Sequence, residues 1–168
     1  LANAPHMPVH LGAMGESVRT VLKSRGASLK PGDMICLNNP FNGGTHLPDI
    51  TVIAPVFDSD GKDIRFFVAN RGHHADIGGL TPGSTPARAT KLEEEGVVID
   101  DFLLLSEGEF REDALRQLLA DAPWPARKPD QNVADLRAQM AANVAGAKDL
   151  LAMIERYGRE GVTSYAGH

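Results

Sequence analysis

Ile50-Thr51-Val52-Ile53-Ala54-Pro55-Val56-Phe57, then Asp58-Ser59-Asp60-Gly61, then Ile64-Arg65-Phe66-Phe67-Val68-Ala69 is the stretch on which the fold turns. The first run is rich in β-branched residues, the second is apolar, and the turn formers between them predict a β-hairpin. Upstream, Pro31-Gly32-Asp33 signals a turn before a brief apolar strand at residues 34–37. That strand runs into Asn38-Asn39-Pro40 and a long loop at residues 41–48. Earlier still, Val18, Val21 and Leu22 stand at helical spacing, and Gly26 offers a stop, which predicts a short helix over residues 14–24. Downstream of the hairpin, residues 71–89 are rich in Gly, Pro, Ser and Thr with almost no bulky apolar side chain. A long loop inside a compact domain is usually functional, and an ordered active-site loop is expected there.

The rest of the chain is helical in character. Residues 112–119 predict a short helix, residues 122–129 a Pro-rich connector, and residues 132–157 a long helix ending at Gly158. Val133, Leu136, Met140, Val144, Ala147, Leu151 and Ile154 form one stripe on it, with small residues at Ala141, Ala142, Ala145 and Gly146 alongside. Core packing is the first expectation for that stripe, and close packing against another helix or subunit the second. The fold class expected is α+β: a small, mostly antiparallel sheet with flanking helices and a long C-terminal helix. It forms a single module over 1–168, with a loop-rich, β-containing part at 1–109 bearing the site and a helical part at 110–168.

Composition narrows the function. The 168 residues carry 17 Lys and Arg against 22 Asp and Glu, a net charge of −5, which argues against a nucleic-acid phosphate footprint. No apolar run reaches the length of a membrane span. One cysteine, Cys36, excludes an internal disulfide and, lying in an apolar run, is expected to be buried and inert in a reducing, cytoplasmic setting. His6, His10, His46, His73 and His74 all fall in the first 74 residues, with only His168 beyond, so the site is expected in the first half. The chain opens in a loop-like stretch, residues 1–8, without initiator Met or signal-like core, and is expected to be part of something longer.

Two glycine-flanked segments concentrate the chemistry: Gly43-Gly44-Thr45-His46-Leu47-Pro48-Asp49, and Arg71-Gly72-His73-His74-Ala75-Asp76-Ile77-Gly78-Gly79. His46 and Asp49 supply an imidazole and a carboxylate, and a second imidazole from the far end of the hairpin completes a two-histidine, one-carboxylate set for a divalent first-row metal. Adjacent residues of an extended chain face opposite ways, so one of His73 and His74 is a ligand and the other faces substrate or supports the ligands. Asp76 is a further ligand, a base or a turn residue before Gly78-Gly79. Arg71 and Arg88 are candidates for holding a carboxylate or phosphate, Thr45 joins Arg71 as a substrate contact, and an acid of Glu93-Glu94-Glu95 is a weaker candidate for proton transfer. Phosphate-loop, dinucleotide-binding, nucleophile-elbow, C-x-x-C and H-E-x-x-H motifs are absent.

Pro8-Val9-His10-Leu11-Gly12-Ala13-Met14, Asn38-Asn39-Pro40-Phe41, residues 43–50, and above all Arg71 to Gly83 (RGHHADIGGLTPG) resemble the hydantoinase B/oxoprolinase family, and so do Glu95-Gly96, Asp135-Leu136-Arg137-Ala138-Gln139, Ala141-Ala142-Asn143 and Arg156-Tyr157-Gly158. The resemblance implies a B-type part of an ATP-dependent enzyme hydrolysing cyclic amides of the hydantoin or 5-oxoproline type, within an oligomer. ATP would be bound by a partner A-type subunit or domain. It also implies a divalent metal (Zn, Mn or Fe) on His46, Asp49 and His73, with His74 the alternative third ligand; the mechanism expected is polarisation of an activated carbonyl or bound water by the metal, with His74 or Asp76 handling the proton. The chain departs from the family pattern at Ile99-Asp100-Asp101-Phe102, at Ala134 and across residues 122–127. The alternatives are a ketone carboxylase of the acetone or acetophenone type, a non-catalytic interaction module of such a complex, and, ranked lowest, iron and oxygen chemistry.

Overall fold

The computed structural model describes residues 8–83 and 85–166. The loop expected at the start of the chain therefore lies outside the described residues except for Pro8, as do His6 and His168. In chain order the elements are α1 (Pro8–Arg25), β1 (Met34–Leu37), β2 (Asp49–Phe57), β3 (Ile64–His73), β4 (Phe102–Ser106), β5 (Glu109–Phe110), α2 (Glu112–Ala120), α3 (Pro129–Tyr157) and α4 (Arg159–Ala166). The five strands form one sheet in the order β3-β2-β1-β4-β5, with every neighbouring pair antiparallel. This is the expected α+β class, with the predicted hairpin forming one side of the sheet. No helix among the described residues is long and apolar enough to cross a membrane.

Side-chain alternation divides the sheet into two buried faces. Ile35, Leu37 and Ile53 pack with Val21 of α1 and with Leu29, whereas Cys36, Ile50, Val52 and Leu104 pack with Leu115 and Leu119 of α2 and Val133, Leu136 and Met140 of α3. Helices on both faces explain why every residue of β2 except Phe57 is buried and why residues 52–57 of that strand form an unbroken apolar run. Cys36 is fully buried, and burial pushes its thiol up to about 12.

The structure differs from the sequence expectations at four places. β3 continues through Arg71, Gly72 and His73, which were expected to open the long loop; they pair with Thr51, Ile50 and Asp49, whose buried backbone needs those partners. The β4–β5 hairpin went unread: its turn, Glu107-Gly108, has positive φ at both residues (52° and 92°), a conformation for which Glu is a poor signal. α1 is longer than predicted, passing through Gly12 and Gly15. The stripe on α3 splits, with Val133, Leu136 and Met140 in the core but Val144 and Leu151 exposed. α3 ends, as predicted, at Gly158, whose φ is 76°.

Asn38, fully buried just beyond β1, ties the irregular segments together. Its amide nitrogen donates to the Leu47 carbonyl at 2.7 Å and the Val97 carbonyl at 2.9 Å, and its oxygen accepts from the Ile99 N–H at 2.7 Å. Gly44 lies so close beneath this residue that a Cβ there would overlap the Asn38 carbonyl. Asn38→Ala strands three buried backbone groups, and unfolding should be easier by about 3 kcal/mol, measurable by urea titration.

Candidate metal centre

The β2–β3 ladder ends in the pair Asp49↔His73, so the two side chains lie beside each other on one face. The Asp49 N–H donates to the His46 carbonyl at 3.0 Å, closing a turn that folds His46 back over the same place. Ligand atoms of His46, Asp49 and His73 all lie within 4.8 Å of one another, and the two imidazole rings are 5.3 Å apart. Asp49 is buried, His46 half-buried and His73 exposed, so the cluster has a closed back and an open front. Asp49 Oδ2 lies 2.6 Å from His46 Nδ1 and accepts from Thr45 Oγ1 at 3.0 Å. Two nitrogens and a carboxylate oxygen form a donor set suited to Zn, Mn or Fe(II), and the residues fit such an ion.

His74 faces the other way. Its ring is buried under α3, where Nε2 lies 3.2 Å from Gln139 Oε1 and Nδ1 lies 3.0 Å from Asn132 Nδ2. The tautomer follows from the neighbours. Gln139 Nε2 donates to the Ile50 carbonyl at 2.9 Å, so its oxygen is turned to the ring and His74 Nε2 carries the proton. Asn132 Nδ2 also donates to the Asp76 carbonyl at 2.8 Å, so Nδ1 is an acceptor. Burial pushes the His74 pKa down, only partly offset by Gln139 and Asp135. The network continues through Asn70, which donates to the Gln139 carbonyl and the Asn143 side chain, and Asn143, which donates to the Val52 carbonyl. Gly72 admits it, since a Cβ there would stand 3.2 Å from the Gln139 amide.

The other candidates are placed as follows. Asp76 accepts from the Arg127 N–H at 2.8 Å and from its guanidinium at 2.6 Å, binding the loop after β3 to the connector before α3. Thr45 serves Asp49, as given above. Arg71 is half-buried and turned to α1: Nε donates to Thr51 Oγ1 at 2.7 Å, an Nη to Ser17 Oγ at 2.9 Å, and the other Nη to the His10 carbonyl at 3.4 Å. Arg88 is exposed. Glu94 accepts from the Thr90 and Lys91 N–H groups, which hold its carboxyl below the usual range. Sequence reasoning missed His10, whose Nδ1 lies 3.3 Å from Asp49 Oδ2. It also missed the polar line Asn132, Gln139 and Asn143 on α3, legible as polar residues at the spacing of a core stripe.

A loop-to-strand junction carrying a two-histidine, one-carboxylate cluster, backed by a helix, defines an α+β domain with a candidate metal centre. The chain belongs to the Hydantoinase B/oxoprolinase family, whose sequence profile matches residues 1–168. It is 47% identical over 174 residues to 5-oxoprolinase 1 of Arabidopsis thaliana, covering 98% of this chain and 14% of that protein. The crystal structure of the ATP-dependent caprolactamase from Pseudomonas jessenii matches with a TM-score of 0.79 at 30% identity, over 94% of this chain and 26% of that one. Its beta subunit aligns at 31% identity over 152 residues, 90% of this chain and 25% of the subunit. A nucleotide-free acetone carboxylase structure matches with a TM-score of 0.76 at 22% identity, over 90% of this chain and 20% of that one, a likeness of fold. The chain thus spans about a seventh of the oxoprolinase and a quarter of the caprolactamase subunit.

Replacing the two adjacent histidines separates their roles. If the cluster holds a metal ion, His73→Ala should lose it, read by elemental analysis, with little change in unfolding. His74→Leu should keep the metal but lower stability by about 2 kcal/mol, because Gln139 and Asn132 are left unpaired in the interior.

Proposed function

We propose that this chain is the metal-holding part of a B-type subunit of an ATP-dependent enzyme that hydrolyses a cyclic amide of the hydantoin or 5-oxoproline type. His46, Asp49 and His73 hold the divalent cation, and an A-type partner subunit or domain handles ATP. The observation that carries the reading is the convergence of these three side chains on one point, in a chain with relatives named 5-oxoprolinase and caprolactamase. A bound cation supplies Lewis-acid polarisation of an amide carbonyl or of water.

The chain's own residues do the rest by placement. The closed side, formed by Thr45, Asp49 and α1, fixes the carboxylate, and the exposed ring of His73 leaves the front open to a substrate. In this reading His74 and Asp76 act as positioning groups: both are engaged on the far side of the strand, with Asn132, Gln139 and Arg127, and hold His73 in register. Arg71 likewise positions α1. The amide reading is preferred to ketone carboxylation because the carboxylase likeness rests on fold at 22% identity, whereas amide-hydrolase names come with 31% to 47% identity.

His46→Ala and Asp49→Asn in the complete ATP-dependent complex should abolish both bound metal and turnover of cyclic amides, measured as ring-opened product. Variants that retain both overturn the metal assignment. Product formation that requires bicarbonate and yields a carboxylated ketone instead assigns the chain to the carboxylase reading.

A further inference from the structure

His10 enters the centre from α1, an element separate from the two ligand-bearing segments. α1 lies on the face of the sheet that carries Asp49, Thr51, Arg71 and His73. It is fastened there by the Arg71 guanidinium, which bridges Thr51 and Ser17, and by Ser17, whose hydroxyl also donates to the Gly43 carbonyl. The clamp holds the first described turns of the helix against the ligand loop. The His10 backbone carbonyl accepts from Arg71, and its imidazole Nδ1 comes to 3.3 Å from Asp49 Oδ2. That nitrogen is buried and has no hydrogen-bond partner among the described residues, an arrangement that ordinarily costs free energy.

The same carboxylate oxygen lies 2.6 Å from His46 Nδ1. Two atoms that each bind one cation at about 2.0–2.2 Å stand roughly 3 Å or more apart at tetrahedral or octahedral angles. If His46 takes the cation through Nδ1, that nitrogen has no proton to offer Asp49, and among the described residues Thr45 remains as the recorded donor to that oxygen. A metal-bound carboxylate is normally oriented by donors behind it. The orphan His10 Nδ1 is the donor standing next to it.

We propose that His10 is a positioning residue of the metal centre: in the tautomer protonated at Nδ1, it donates to Asp49 Oδ2 once the cation draws His46 away. The inference rests on the metal reading above and adds a helix-borne group to it. It makes α1 part of the centre and gives the Arg71 clamp a function, the delivery of His10.

The test is metal affinity in the purified full-length protein, with Zn²⁺ and Mn²⁺ as probes, measured by chelator competition, with unfolding of the metal-free protein followed in parallel. Asn places its amide nitrogen the same number of bonds from the backbone as His Nδ1, while Gln places it one bond farther. H10A and H10Q should weaken binding about 10- to 100-fold, whereas H10N should stay near wild type. Metal-free stability should rank the variants differently, because it does not depend on that donor geometry. Equal affinity of H10A and wild type overturns the inference alone, and so does a loss in H10N as large as in H10Q. The pair H10N and H10Q decides the matter even where H10A fails to fold. Absence of any metal binding by the wild-type protein overturns the metal reading and this inference together.

Discussion

The pairing of Asp49 with His73 at the open end of the β2–β3 hairpin is the constraint on which the rest depends. Side chains alternate with a period of two, so this one register assigns every neighbour to a face. Asp49, Thr51, Arg71 and His73 fall on the α1 side; Ile50, Val52, Asn70, Gly72 and His74 fall on the α3 side. A slip by a single residue would bring His74 beside the carboxylate and drive His73 into the core, exchanging an exposed ring for a buried one. The centre therefore needs a register lock as much as it needs ligands.

That lock is the polar layer beneath α3. Gln139 and Asn143 read the Ile50 and Val52 carbonyls of β2, while Asn70 of β3 exchanges hydrogen bonds with both side chains and His74 accepts Asn132 and donates to Gln139. An apolar layer of the same volume would bury as much surface, yet it would tolerate a slipped strand. In this layer every polar side-chain atom but Asn132 Oδ1 finds a partner among the described residues; a slipped register would leave the others unpartnered too, at a cost on the order of 1–3 kcal/mol for each buried group. Neutral His74 suits this place because one ring nitrogen donates and the other accepts. Gly72 completes it by leaving room for the Gln139 amide.

Much of this was legible in the sequence. The hairpin showed in its β-branched run and its Asp58-Ser59-Asp60-Gly61 turn, and the H-x-x-D spacing together with the hairpin predicted the meeting of His46, Asp49 and a histidine of the 73–74 pair. Alternation also predicted that His73 and His74 face opposite ways. Which face holds the carboxylate was not legible from residues alone, because β2 is buried on both sides and its apolar run carries no alternation. The β4–β5 hairpin was hidden for a related reason: Phe102 to Leu105 is apolar throughout, and its turn uses Glu where Asn or Asp would have announced it. His10 was hidden because a lone histidine on a helix has no partner within its own segment; Arg71, 61 residues away, brings it to the site.

The arrangement also explains why α1 holds so polar a clamp. Burial lowers the Arg71 pKa and the charge of Asp49 opposes that effect. Its three bonded nitrogens go to a strand hydroxyl, a helix hydroxyl and a helix carbonyl, not to the carboxylate itself. A direct Arg71–Asp49 pair would neutralise the oxygen and compete with a cation. By acting at one remove, Arg71 fixes the helix and leaves the Asp49 charge available. On the metal reading proposed above, the buried Asp49 carboxylate forms the back of the centre and the exposed His73 imidazole its front.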